Sequence, residues 1–132
     1  MIQPYSQAHY PPMPVLDVSL AAPESQDWTG PFSAEVDSGA DFTIVPASLL
    51  RPLHPPAVRP ATLSSQWRDW RPVLVYEVDL RVGDLVLPAV DVAGDPYSGE
   101  ILLGRNVLNC LDLRLEGPAL RTHLPTWRAR QR

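Results

Sequence analysis

In Val36-Asp37-Ser38-Gly39-Ala40-Asp41 a carboxylate is followed at once by a small, turn-forming pair. These residue types in this order can present Asp37 for proton transfer. Gly39 can bring its backbone close to a ligand or adopt dihedrals other residues avoid, and the short Ser38 hydroxyl can hold a neighbouring backbone group. Phe32, Ala34 and Val36 on one side and Phe42, Ile44 and Val45 on the other would shield the carboxylate partly from water and hold it in one orientation. General acid/base chemistry requires such placement. Asp-Ser-Gly is also a common turn sequence, so taken alone the stretch is read by default as a plain turn.

A second stretch, Glu100-Ile101-Leu102-Leu103-Gly104-Arg105-Asn106-Val107-Leu108, follows downstream. Together, Val-Asp-Ser-Gly-Ala-Asp and Ile-Leu-Leu-Gly-Arg-Asn-Val-Leu resemble the retropepsin-like aspartic peptidases, the single-domain family of retroviral proteases and related bacterial proteins. The resemblance covers residues 14 to 117, and both motifs in order are more specific than either alone. It implies an all-β, closed barrel-like acid-protease fold with a flap hairpin and one short C-terminal helix. The implied activity is an aspartic endopeptidase. Hydrolysis by that chemistry needs two facing carboxylates, and the chain has a single Asp-Ser/Thr-Gly turn, so the active form is expected to be a symmetric homodimer with one Asp37 from each subunit at the two-fold axis.

Two carboxylates so close cannot both ionise readily; the pair shares a proton and titrates as a unit. The ionised member takes a proton from a bound water that attacks the carbonyl of a peptide or protein substrate, and the protonated member donates to the carbonyl oxygen. No metal or organic cofactor is needed. By resemblance, Ser38 ties the two active-site turns together across the dimer, and Gly39, beside Ala40 in the turn, offers backbone groups to substrate. Asp41 and Arg105 match positions that form a supporting ion pair. If buried, that pair would cost about 3–5 kcal/mol when one partner alone is removed. Gly104 permits close passage beneath the turn.

The elements that must position these residues are read from alternation and breakers. Residues 1–13 carry Pro4, Pro11 and Pro12 and form an extended segment or edge. The peptidase-like domain is expected over 14–118, followed by an Arg-rich extension over 119–132. Val15 to Leu20 alternates as a strand, Ala21 to Pro31 forms a hairpin loop, and Phe32 to Val36 delivers Asp37 at its end. Phe42 to Val45 is a β-branched strand, and Pro46 to Leu50 a short helical turn. Leu85 to Val92 and Ile101 to Leu103 are further strands. Asn106 to Cys110 reads as a short helix with Asn106 as N-cap, with Cys110 buried on it as a small apolar residue. Leu111 to Leu115 is the last regular strand, stopped at Gly117-Pro118; Leu120 to Leu124 is a candidate edge strand. Short strands at this density indicate an all-β barrel or sandwich.

Ala61 to Val82 reads as a long hairpin with Trp67 and Trp70 near its tip. By resemblance this hairpin is the flap over bound peptide. Its tryptophans either cover substrate and exclude water or pack the hairpin against its own domain. Family flaps are commonly glycine-rich and this one has no glycine, which bears on how it opens. Trp67, Trp70, Leu102 and Val45 would make an apolar cleft that prefers apolar side chains around the scissile bond.

Composition bounds the rest. A chain of 132 residues is long enough for one self-sufficient core. One cysteine excludes an intrachain disulfide and fits a reducing, cytoplasmic setting. The first residues lack a basic region followed by an apolar run, so no signal peptide is expected, and no apolar stretch suits a membrane span. A net charge of −4 disfavours nucleic-acid binding. All eleven cationic side chains are arginine, which reads as a GC-rich bacterial genome. Arg121, Arg128, Arg130 and Arg132 gather in the tail as a solvated terminus. His9, His54 and His123 are scattered and read as surface histidines, with no metal-ligand spacing. A serine hydrolase is disfavoured by the absence of a Gly-x-Ser-x-Gly elbow. The rival to a peptidase is a catalytically silent dimerisation or peptide-binding module on the same fold.

Overall fold

Alternating apolar side chains along the strands leave each with one face that must be covered, and a sheet closed on itself covers them all. The computed structural model describes residues 1–64 and 70–125. In chain order the strands are β1 (Ile2–Pro4), β2 (Val15–Ala21), β3 (Thr29–Val36) and β4 (Thr43–Pro46), then helix α1 (Ala47–Leu50). There follow β5 (Ala57–Ser64), β6 (Trp70–Val82), β7 (Leu85–Asp95), β8 (Ile101–Leu103), helix α2 (Arg105–Leu108), β9 (Arg114–Glu116) and β10 (Arg121–His123).

Six strands close a barrel in the order β2-β3-β8-β4-β7-β6, the ring being completed by an antiparallel β2–β6 pairing from Val18 opposite Val82 to Ala21 opposite Asp79. Strand β6 makes this possible by its length of 13 residues. Its C-terminal half bonds to β2, while on its N-terminal half β5 pairs from Ala57 opposite Tyr76 to Ser64 opposite Trp70. The β5–β6 hairpin is thus an extension of a barrel strand past the barrel wall, and it takes its direction from the core beneath it.

Leu16, Val18 and Leu20 of β2, Val78, Leu80 and Val82 of β6, and Ile101 and Leu103 of β8 fill the interior together with Val45, Val92 and Val107. The i, i+2 spacing on β6 is the inward face of a pleated strand. Each such side chain contributes about 1.5–3 kcal/mol by leaving water. Among the described residues, no helix is long and apolar enough to cross a membrane.

Segments 2–4 and 121–123 meet. Strand β10 is the centre of a separate three-stranded sheet, with β1 on one side (Ile2 opposite His123) and β9 on the other (Thr122 opposite Leu115). Within the N-terminal segment Ile2–Pro4 is therefore an edge strand. Residues 120–124 supply a strand, Arg121–His123, that lies at the centre of this sheet and not at an edge as expected, because β1 and β9 pair on either side of it. The stretch 111–115 differs from expectation. Its alternation places Leu111 and Leu113 against the core, and the strand itself runs Arg114–Glu116.

Candidate active site

Strand β3 runs parallel to β8, with Val36 opposite Leu103. The Asp37 N–H donates to the Leu103 carbonyl at 3.1 Å, so the ladder continues one residue past the strand and anchors Asp37 through its backbone. The turn then closes, with the Ala40 N–H donating to the Asp37 carbonyl at 3.2 Å and the Gly39 N–H to Asp37 Oδ1 at 2.9 Å. The carboxylate is half-buried and held by its own turn. Gly39 acts here through close approach and not through its dihedrals, since it is not among the residues at positive φ. A Cβ on it would lie 3.1 Å from Asp37 Oδ1.

Helix α2 braces this turn from below. The Arg105 N–H donates to the Ala40 carbonyl at 2.8 Å and Arg105 Nη1 to the Ser38 carbonyl at 2.9 Å. The expected ion pair between Asp41 and Arg105 is not formed within the chain: the guanidinium is engaged by the turn's backbone, and both residues are exposed. The 3–5 kcal/mol expected of a buried pair does not apply to partners in this setting. Gly104 does permit close passage, because a Cβ there would stand 2.4 Å from both the carbonyl carbon and the carbonyl oxygen of Phe42.

Two residues that look ordinary in the sequence complete the brace. Thr43, fully buried, donates from Oγ1 to Asn106 Oδ1 at 2.8 Å and accepts the Gly104 N–H at 3.1 Å. Its own N–H also reaches Asn106 Oδ1 at 3.0 Å, and Asn106 Nδ2 donates to the Asp91 carbonyl at 2.9 Å. Asn106 is therefore not the N-cap; Gly104 holds that position without a side-chain bond, freeing the amide to join β4, β7 and α2. A buried threonine beside a turn is the signal that would have found the pair. Cys110 is exposed, because α2 ends at Leu108 and turns it outward.

A cleft of about 510 Å³ runs between the turn, at Gly39, Ala40 and Asp41, and the hairpin strand β5, at Thr62, Leu63 and Ser64. Ile44 and Arg59 line it, and Arg105 reaches it. In the single chain Asp37 stands beside this cleft and not among its lining residues. Leu102 is half-buried on β8 opposite Ile44 and also lies outside the lining. In the single chain Trp70 is 69% exposed and is not among the residues lining the cleft. Trp67 and the tail arginines Arg128, Arg130 and Arg132 lie outside the described residues. A second groove of about 880 Å³, lined by Leu50, His54, Val73 and Tyr76 among others, holds none of the turn residues.

His9 is not a plain surface histidine. Its Nε2 lies 2.8 Å from Glu35 Oε1 and 3.5 Å from Glu100 Oε1. Burial, reinforced by the adjacent Glu100, raises the Glu35 carboxyl above its ordinary range, while the hydrogen bond from Glu35 lowers that of Glu100. Of the two carboxyls, Glu35 is the one that holds a proton more readily. Three chain segments meet here, so no sequence spacing announces the cluster.

The backbone is similar to that of solved aspartic proteases. A retropepsin-like aspartic protease from Rickettsia conorii matches with a TM-score of 0.61 at 10% identity, over 94% of this chain and 88% of that one. The simian foamy virus protease matches with a TM-score of 0.51 at 22% identity, over 76% and 99%. The retroviral protease-like domain of Ddi1 from Leishmania major matches with a TM-score of 0.52 at 13% identity, over 86% and 90%. No protein-family profile and no curated protein matches the sequence. The chain has the retropepsin-like fold.

Proposed function

We propose that this retropepsin-like domain is an aspartic endopeptidase, active as a symmetric homodimer in which two Asp37 carboxylates share a proton and activate water against a peptide carbonyl. The observation that carries the reading is the held Asp37. Its backbone is fixed by β8, its Oδ1 by Gly39, and its turn by Arg105, on a fold that places the turn beside a cleft under a hairpin. A carboxylate held this rigidly is suited to proton transfer. Ser38, exposed at the tip of the turn, would meet its counterpart across the axis, and Gly39 and Ala40 would face substrate. Asp41 would stand at the rim of the cleft, where Arg105 holds the turn. The β5–β6 hairpin would serve as flap, with Trp67, Trp70 and Leu102 contacting substrate in the assembled dimer. A chain with one cysteine suits a cytoplasmic site of action.

Strands β1 and β10 pair within one chain, and among the described residues β1 and β9 are the outer strands of that sheet. Such edges are ready to pair across a two-fold axis. The rival, a silent dimerisation or peptide-binding module, is favoured by two features: the flap hairpin holds no glycine, and in the single chain Asp37 stands outside the cleft.

The test is digestion of a complex peptide mixture from acidic to neutral pH by the purified chain, beside Asp37→Asn. The substitution keeps an oxygen for the Gly39 N–H, so folding should persist. Cleavage by the unsubstituted chain alone is expected and would give the subsite preferences in the same data. Equal silence from both, at concentrations where a dimer is measured, would leave the binding module.

A further inference from the structure

We infer that His9, Glu35 and Glu100 form a binding site for a divalent transition cation, with zinc the best match, and that this cation pins the N-terminal loop to β3 two residues before Asp37. The candidate ligand atoms, one from each residue, all lie within 4.8 Å of one another. Separations of 2.8 and 3.5 Å from the imidazole nitrogen to the two carboxylates bracket the ligand–ligand spacing of about 3.3 Å that tetrahedral zinc bonds of roughly 2.0–2.1 Å would set.

The imidazole is also oriented from behind. His9 Nδ1 lies 3.4 Å from Ser6 Oγ, and the loop carrying both residues is closed by a reciprocal pair of backbone hydrogen bonds between Ser6 and Met13, at 2.8 and 3.1 Å. An outer partner of this kind fixes which ring nitrogen faces a metal. The opposite wall is equally set. Glu35 stands on β3, and Glu100 directly precedes β8, which pairs with β3.

Charge points the same way. Two carboxylates face a single imidazole, and among the described ion pairs neither has an arginine partner. A divalent cation held between the three would relieve that repulsion. Space for further ligands adjoins the cluster in a cleft of about 490 Å³ that all three residues line, together with Ser6, Phe32 and Ile101. Three protein ligands beside an open cavity leave a position for water or an anion. One imidazole with two carboxylates suits zinc and its neighbours and disfavours magnesium, which takes oxygen and water.

Isothermal titration of the full chain with zinc chloride at neutral pH, repeated with His9→Ala and Glu100→Gln, tests the assignment. The expectation is one zinc per chain, an affinity reduced at least about tenfold in each variant, and no comparable heat with magnesium. Thermal unfolding is the second readout: zinc should raise the midpoint of the unsubstituted chain and not that of the variants. Circular dichroism establishes that both variants are folded; His9 and Glu100 sit on loops at the surface, so folding should be kept. Absence of zinc binding by the folded chain up to millimolar metal would overturn the proposal. So would unchanged affinity in both variants, which would place the metal on His54, His123 or Cys110.

Discussion

At the scale of single residues, the brace under Asp37 depends on how closely backbone passes backbone. Gly104 is buried, and the atoms a side chain would meet are the carbonyl carbon and oxygen of the Phe42 backbone, which cannot swing aside as a flexible side chain does. Moving Phe42 also moves Thr43, and with it the bonds to Asn106 and to Gly104 itself. Gly104→Ala is therefore expected to destabilise the fold by about 3 kcal/mol or more, the upper range for forcing an extra methyl into a packed site. Urea denaturation checks this through a lowered midpoint at unchanged slope. A variant within 0.5 kcal/mol or so of the parent would mean that the turn moves more freely than this packing implies.

At the scale of elements, the small sheet at the termini is clamped by Glu116 on β9. Its carboxylate accepts from Arg121 on β10 and from Arg114, the latter at 2.7 and 3.1 Å, with His123 Nδ1 at 3.9 Å. Arg121 first, then Arg114, hold the Glu116 carboxyl below its ordinary value of 4.5. A depressed carboxyl stabilises the fold above the unfolded-state value, and that stabilisation is lost as pH falls through the folded-state value. Glu116→Gln should therefore lower the melting temperature slightly at pH 7, and the gap to the parent should close in acid below about 4.5. Because the cluster lies at the surface, added salt should also narrow the gap. A gap that stays constant across the acid range would show that the arginines hold β9 to β10 without this charge.

At the scale of the whole molecule, one chain supplies one Asp37, and the proposed reaction needs two. Activity per chain should therefore fall on dilution once the dimer dissociates, and mixing with an excess of the Asp37→Asn variant should suppress cleavage beyond simple dilution as subunits exchange. Peptide-cleavage rates over a concentration series check both. Strictly linear activity down to low nanomolar, unaffected by the mutant, would count against a reversible dimer. The six-strand ring is closed by one chain alone, so dissociation should not unfold the barrel.

What can be read from sequence is local. The Asp37 turn depends on residues 36 to 41, the strands on their own alternation, and the Gly104 approach on one missing side chain, so each is legible without knowing its neighbours in space. Even there, Asn106 looks like a helix cap and Cys110 like a core residue, because a short helix's start cannot be fixed to one residue by pattern and a shift of one turns the side chains. The ring order β2-β3-β8-β4-β7-β6, the sharing of β6 between hairpin and barrel, and the pairing of β1 with β10 come only with tertiary structure. So do the Thr43–Asn106 brace and the meeting of His9 with Glu35 and Glu100. Turn and strand propensities are set by a few adjacent residues, whereas contacts such as His9 with Glu35, or Ile2 with His123, join remote parts of the sequence. They exist only once barrel closure has offset the entropy of bringing distant segments together.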